Sequence, residues 1–199
     1  MKIVGIDPGS ERTGYGCLES DGRRHRLIAC GAITAAAGDA FPDRLARIYR
    51  ELTALLARTR PECVAVESVF HAVNARSALK LGHARGVALL AAVEAGCTVV
   101  EYTPAEVKRA VVGYGRADKR QVQQMIKLLL GLDKAPSPYD ASDALAVAIC
   151  HLHSARMAGI RDQGAGIKST SRLIPDPGSL VPEKRQLKSW RQYRPPAHG

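Results

Sequence analysis

The chain has 199 residues, 46% of them hydrophobic, which is enough for one domain with a substantial core. Its formal net charge is +10 and no apolar run is long enough to span a bilayer, so the composition points away from a membrane and toward a polyanion such as a nucleic-acid backbone. The five cysteines (Cys17, Cys30, Cys63, Cys97 and Cys150) are odd in number and lack C-x-x-C spacing, and Asp7 and Glu11 interrupt the N-terminus too early for a secretory leader. Reduced thiols in a cytoplasmic protein are therefore expected.

In chain order, Lys2–Asp7, Thr13–Glu19 and Arg26–Thr34 read as three strands of a meander, with Asp21-Gly22 turning the second into the third. Pro42 opens a helix whose apolar residues, Leu45, Ile48, Leu52 and Leu55 or Leu56, recur in steps of three and four. Cys63–Val69 is a short, continuously apolar strand of the kind covered on both faces. A long helix from about Asn74 to Ala95 follows, then a strand over Thr98–Tyr102. Thr103-Pro104-Ala105-Glu106 has the signature of a capping box and starts another helix, which Gly113-Tyr114-Gly115 breaks. Asp118–Leu130 and a last helix from Ser137-Pro138-Tyr139-Asp140 to about Ala158 complete the pattern. The order predicts a mixed sheet with helices on both faces. Beyond about Gly164, Pro, Gly, Ser and basic residues dominate; the division is a domain over 1–160 and a disordered basic tail over 161–199. Eight Lys and Arg against three Asp and Glu after residue 159 put half of the net charge in that tail.

Carboxylates at the ends of apolar runs stand out. Asp7 follows Ile3-Val4-Gly5-Ile6, Glu67 follows Val64-Ala65-Val66, and Asp140 and Asp143 open the last helix. Each has a simpler reading by itself: Asp7 as a turn residue before Pro8-Gly9, Asp140 as a capping acid three residues after Ser137. Asp143 lies one turn beyond Asp140 on the same face, where two like charges cost stability without a compensating cation, and Glu67 occupies a strand that should stay apolar. Gathered at one sheet edge, these oxygens would suit Mg²⁺ or Mn²⁺. His71, His83, His151 and His153 do not form a convincing zinc set, since His151 and His153 point to different helix faces.

The ordered motifs Ile6-Asp7-Pro8-Gly9 with Thr13-Gly14-Tyr15-Gly16, Val66-Glu67-Ser68-Val69-Phe70, Ala78-Leu79-Lys80-Leu81-Gly82, Ala84-Arg85-Gly86, Lys108 with Val111-Val112-Gly113, Gly115-Arg116-Ala117-Asp118-Lys119 and Asp140-Ala-Ser-Asp143 resemble the RuvC family of bacterial Holliday-junction resolvases over roughly residues 1–155. The resemblance implies a ribonuclease-H-like α/β fold, a five-stranded mixed sheet whose first three strands are antiparallel. It implies that Asp7, Glu67, Asp140 and Asp143 hold two Mg²⁺ ions (Mn²⁺ substituting) and that Lys119 joins the catalytic set. It further implies that Phe70, Lys108 and Lys119 meet DNA, with Phe70 holding the open junction centre; Arg76, Lys80 and Arg116 are candidates for contact with the DNA backbone. Arg85, Arg120 and Tyr114 are further candidates for contact.

The implied activity is Mg-dependent, symmetric nicking of two strands of like polarity in four-way junction DNA, leaving 5′-phosphate and 3′-hydroxyl ends, in recombination and repair. The implied partners are a second copy of the chain, for which the Ala-rich helix at 74–96 offers a face, and a RuvA–RuvB-type branch-migration complex. Two other readings are a YqgF-type nuclease acting on RNA, which the Phe70 loop and the two lysines disfavour, and a non-catalytic junction binder, which gains nothing from acidity facing phosphate. An actin-like ATPase, suggested by Asp7-Pro8-Gly9, would need a second nucleotide-binding domain.

Overall fold

The computed structural model describes residues 1–36, 38–68 and 74–164, the last nine by backbone alone. Five strands, β1 (Lys2–Asp7), β2 (Arg12–Ser20), β3 (His25–Thr34), β4 (Cys63–Glu67) and β5 (Thr98–Tyr102), lie in the order β3-β2-β1-β4-β5. β1 pairs antiparallel with β2 and parallel with β4, β2 pairs antiparallel with β3, and β5 runs parallel to β4. The mixed sheet and the antiparallel first three strands are those expected from the sequence. β4 ends at Glu67, with Ser68 beyond it outside the strand; residues 69–73, including the expected strand end Val69, lie outside the described residues.

Helices α1 (Phe41–Thr59) and α2 (Ala75–Glu94) cover one face. Their buried Ile48, Leu52, Leu55, Ala84, Ala88 and Ala92 pack on Val4, Ile6, Val64 and Val66. Helices α3 (Pro104–Val112), α4 (Lys119–Leu129) and α5 (Tyr139–Gly164) cover the other, where Val107, Val122, Ile126 and Leu145 meet Ile3, Leu18, Cys63 and Ala65. The capping box at α3 forms as its residues predict, with the Thr103 amide donating to Glu106 at 2.7 Å and the Glu106 amide to Thr103 Oγ1 at 3.3 Å. α4 carries a second one: Asp118 and Gln121 each accept from the other's backbone amide at 2.9 Å, making Lys119 the first residue of that helix. α5 continues six residues past the expected Ala158, since the run up to Gly164 holds no proline to stop it. Residues 1–160 form one compact unit; of the second, 161–199, only the helical backbone up to Gly164 is described, so the expected tail falls outside the described residues.

α5 lies unusually close to the sheet because β1 and β2 offer it glycines. A Cβ on Gly5 would sit 2.0 Å from the Ala144 carbonyl oxygen, one on Gly14 2.0 Å from that of Asp140, and one on Gly16 2.6 Å from Leu145 Cδ2. On the helix side, Ala141, Ala144 and Ala148 are fully buried. Two backbones can approach to this distance only where neither carries a side chain larger than a methyl.

Gly5→Ala should therefore destabilise the protein by about 3 kcal/mol or more, since the obstructing atom is backbone and cannot swing aside. Urea unfolding measures this, and a change below about 1 kcal/mol would show that α5 has room to lift.

Candidate active site

Strand parity places the first two carboxylates. Ile3 and Cys63 face the α3–α5 side, so Asp7 and Glu67, four residues on in each strand, face the same way. The parallel register pairs Ile6 with Val66, which sets Asp7 beside Glu67 at the strand ends. α5 then crosses over β1 and delivers Asp143 to the same place. Together with Lys108 of α3 and Lys119 of α4, these residues line a cleft of about 360 Å³ whose apolar walls include Val107, Val122 and Ala146.

The electrostatics are those of crowded acids. Burial, reinforced by the charges of Glu67 and Asp143, pushes the Asp7 carboxyl up to about 8, and a hydrogen bond to Glu67 adds to the rise. Burial raises Glu67 as well, with Asp143 contributing, while Lys119 and Lys108 pull the other way. Asp143 meets its own cation: Lys119 Nζ donates to Asp143 Oδ2 at 3.0 Å. Burial alone would lower the Lys119 ammonium, but that bond and the charges of Asp143, Asp7 and Asp140 outweigh it and hold the group above its ordinary value. The crowding is thus offset in two ways: the Asp7 carboxyl is hard to ionise, and Asp143 is paired with an ammonium.

Asp140 faces elsewhere. It lines an adjacent concavity with Glu11, Arg12 and Arg44, and Arg12 Nη1 donates to Asp140 Oδ2 at 3.3 Å. Among the described residues, no three Asp, Glu, His or Cys side chains form a ready coordination shell, which agrees with Asp143 engaged by Lys119 and Asp140 by Arg12. The donor set still fits a hard divalent cation. All donors are carboxylate oxygens, and the elevated Asp7 marks a place where added positive charge would be stabilised.

The other expected contacts are dispersed. Arg76 and Arg116 are exposed, on α2 and on the turn before α4, and neither lines the cleft. Lys80 lies with its ammonium 5.8 Å from the centroid of the Phe41 ring. Arg85 is engaged at the surface by Glu101, and the Tyr114 hydroxyl donates to Gln121 at 2.8 Å. Phe70 lies outside the described residues. His151 meets the Tyr102 hydroxyl at 2.9 Å and His153 the Ala110 carbonyl at 3.0 Å, two separate structural roles. Arg12 escaped the sequence reading: a lone arginine at the start of a strand carries no periodic signal, and only the fold brings it to Asp140.

A family model described as Crossover junction endodeoxyribonuclease RuvC matches residues 3–151. The chain belongs to the RuvC family. Its relative from Koribacter versatilis, a crossover junction endodeoxyribonuclease RuvC, is 55% identical over 155 residues, covering 77% of this chain and 93% of the relative. The structure of Thermus thermophilus RuvC superposes with a TM-score of 0.73 at 38% identity, over 79% of this chain and 97% of that one. RuvC from the same organism in complex with Holliday junction substrate gives a TM-score of 0.72 at 37% identity, over 79% and 96% of the two chains. The ribonuclease-H-like class expected from the sequence thus stands. Among the described residues, no helix is long and apolar enough to cross a membrane.

The elevated Asp7 carboxyl has a consequence for stability in the absence of metal. Between pH 4 and pH 8 the unfolded chain is ionised at Asp7 while the folded chain keeps the proton, so ionisation favours unfolding. Stability contributed at this site should fall as pH rises through that window, by up to about 1.4 kcal/mol per pH unit, and level off above it. In EDTA, Asp7→Asn should melt higher than the native protein at pH 8, with the gap narrowing toward pH 5. Parallel melting curves across that range would show that no proton is held there.

Proposed function

We propose that this RuvC-family chain is a Holliday-junction resolvase that nicks two strands of like polarity by divalent-cation-dependent phosphodiester hydrolysis. The observation that carries the reading is the convergence of Asp7, Glu67, Asp143, Lys108 and Lys119 on one cleft in a protein of net charge +10. A related RuvC is known in complex with Holliday junction substrate. Asp7, Glu67 and Asp143, with Asp140 beside them, would hold Mg²⁺, two ions per site, with Mn²⁺ able to substitute. When bound, such ions lower the pKa of the attacking water and neutralise charge on the leaving 3′ oxygen.

The residues of the chain do the rest. Asp7 and Glu67 end adjacent central strands, so their carboxylates are held with little freedom and pay no reorganisation as charge develops. Lys119, positioned by the Asp118 capping box and kept protonated by its acidic neighbours, presents positive charge to the scissile phosphate. Lys108 faces the same cleft from α3. The apolar walls limit water around the reacting phosphate.

A second copy of the chain completes the unit, since symmetric nicking needs two clefts. The outer side of α2 supports this, with Leu79, Leu90 and Val93 more than half exposed, and Gly82 and Gly86 between them leaving a shallow apolar groove. The cytoplasm, and a RuvA–RuvB-type branch-migration complex as a partner, belong to the same reading.

Cleavage of a synthetic mobile four-way junction, with linear duplex as control and in Mg²⁺ against EDTA, tests the activity. Paired, ligatable nicks should appear only with Mg²⁺ and only in the junction. Asp7→Asn should lower the rate by about 10³-fold or more while changing junction affinity less than about threefold; equal losses of binding and cleavage would remove Asp7 from the chemistry. For the dimer, Leu90→Glu should shift the sedimentation coefficient to that of a monomer and abolish paired nicking. A variant that stays dimeric would place the interface elsewhere.

A further inference from the structure

The concavity beside the cleft is unused by this mechanism. It has a volume of about 750 Å³ and is lined by Ser10, Glu11, Arg12, Arg44 and Asp140 among others. Two arginines at one open, polar hollow next to a phosphodiester-cleaving site suit a backbone phosphate of the strand leaving that site. Both are engaged: Arg44 Nε donates to the Asp39 carbonyl at 3.0 Å, and Arg12 holds Asp140, the carboxylate of the expected set that does not line the cleft.

The hold is weak and local. At 3.3 Å the contact is longer than the 2.7–2.9 Å of a good charge-assisted bond, and the Arg12 side chain is 50% exposed. Exposed pairs of this kind contribute little and exchange readily. The backbone of Asp140 is fixed by its seat on Gly14, so a change of partner requires only rotation about the side-chain bonds. Asp143, one turn on and facing the cleft, is a near neighbour on the same helix face. The negative charge of Asp140 already acts on Lys119 in the cleft.

We propose that Arg12 is a phosphate-released latch on Asp140. Without DNA, its guanidinium draws the carboxylate away from the cleft. When a backbone phosphate enters the hollow beside Arg44, it takes the guanidinium as a stronger, bidentate partner, and Asp140 turns to join Asp7, Glu67 and Asp143. Arg12 is a positioning residue in this scheme. Cation binding and strand binding then favour one another, and the reciprocity of linked equilibria makes the coupling equal in both directions. The proposal rests on the resolvase reading, because it takes the hollow to be filled by a DNA strand.

The test is Mn²⁺ binding to the full-length, metal-stripped protein without DNA, followed by electron paramagnetic resonance, together with junction binding in EDTA. Arg12→Gln removes the charge and keeps an amide. It should bind Mn²⁺ about two- to fivefold more tightly than the native protein, the scale of an exposed ion pair. It should also bind the junction more weakly, with a salt slope smaller by about one. Arg44→Gln, which does not touch Asp140, should weaken junction binding and leave Mn²⁺ affinity unchanged. An unchanged Mn²⁺ affinity in Arg12→Gln, or a shift matched by Arg44→Gln, overturns the latch even if the native protein cuts junctions. A native protein that binds Mn²⁺ but cuts no junction overturns the resolvase reading, and the Mn²⁺ shift still decides whether Arg12 competes for Asp140. A native protein that binds no Mn²⁺ at millimolar concentration overturns both.

Discussion

The close approach of α5 to β1 and β2 is the constraint on which the rest of the molecule depends. Three glycines, Gly5, Gly14 and Gly16, remove side chains from one strip of the sheet, and α5 answers with alanines. The helix is thereby set at a depth and a rotation that leave little choice. Asp143 reaches the ends of the central strands and Asp140 arrives one turn earlier, over Gly14 and toward Arg12. A helix standing off by a few ångströms, as most helices on sheets do, would keep the same acidic residues and lose the cluster.

That cluster is costly by itself. Three carboxylates in a cleft with apolar walls repel one another and lose hydration, and the protein meets this with an Asp7 carboxyl held well above its ordinary value and the ammonium of Lys119 on Asp143. On the proposed reading both compensations would be exchanged: a cation would replace the proton favoured at Asp7, and the Lys119 ammonium would turn to phosphate. The site is therefore destabilised in the way a cation-dependent active site has to be, while the cores on both sheet faces supply the stability that tolerates it.

Positive charge is distributed to match. Lys108 and Lys119 stand in the cleft, and Arg12 and Arg44 line the hollow next to it, while Arg85 is engaged with Glu101 and Lys80 lies beside the Phe41 ring. A count of basic residues does not separate these groups. What separates them is where the fold sets them, beside the carboxylates of the cleft and the hollow or away from both on α2.

Much of the fold was legible because it is written in local chemistry. The continuous apolar run of β1, the three-and-four spacing in α1, the Thr103–Glu106 capping box and the glycines closing α2, α3 and α4 each act within a few residues, so the order of elements could be read directly. The carboxylates at the ends of Ile3–Ile6 and Val64–Val66 were legible for the same reason, since a charge that ends a buried run has to lie at a sheet edge. Other features are set between residues far apart in the chain, and no local signal encodes them. The Asp118–Gln121 cap orients Lys119 toward Asp143, 24 residues away, and Arg12 finds Asp140 across 128 residues. The sequence by itself determined the elements, the rim carboxylates and the family, because these depend on periodicity and short motifs. Only the tertiary structure decided that Asp143 enters the cleft while Asp140 turns to Arg12, because that division depends on how deeply one helix settles on a strip of glycine.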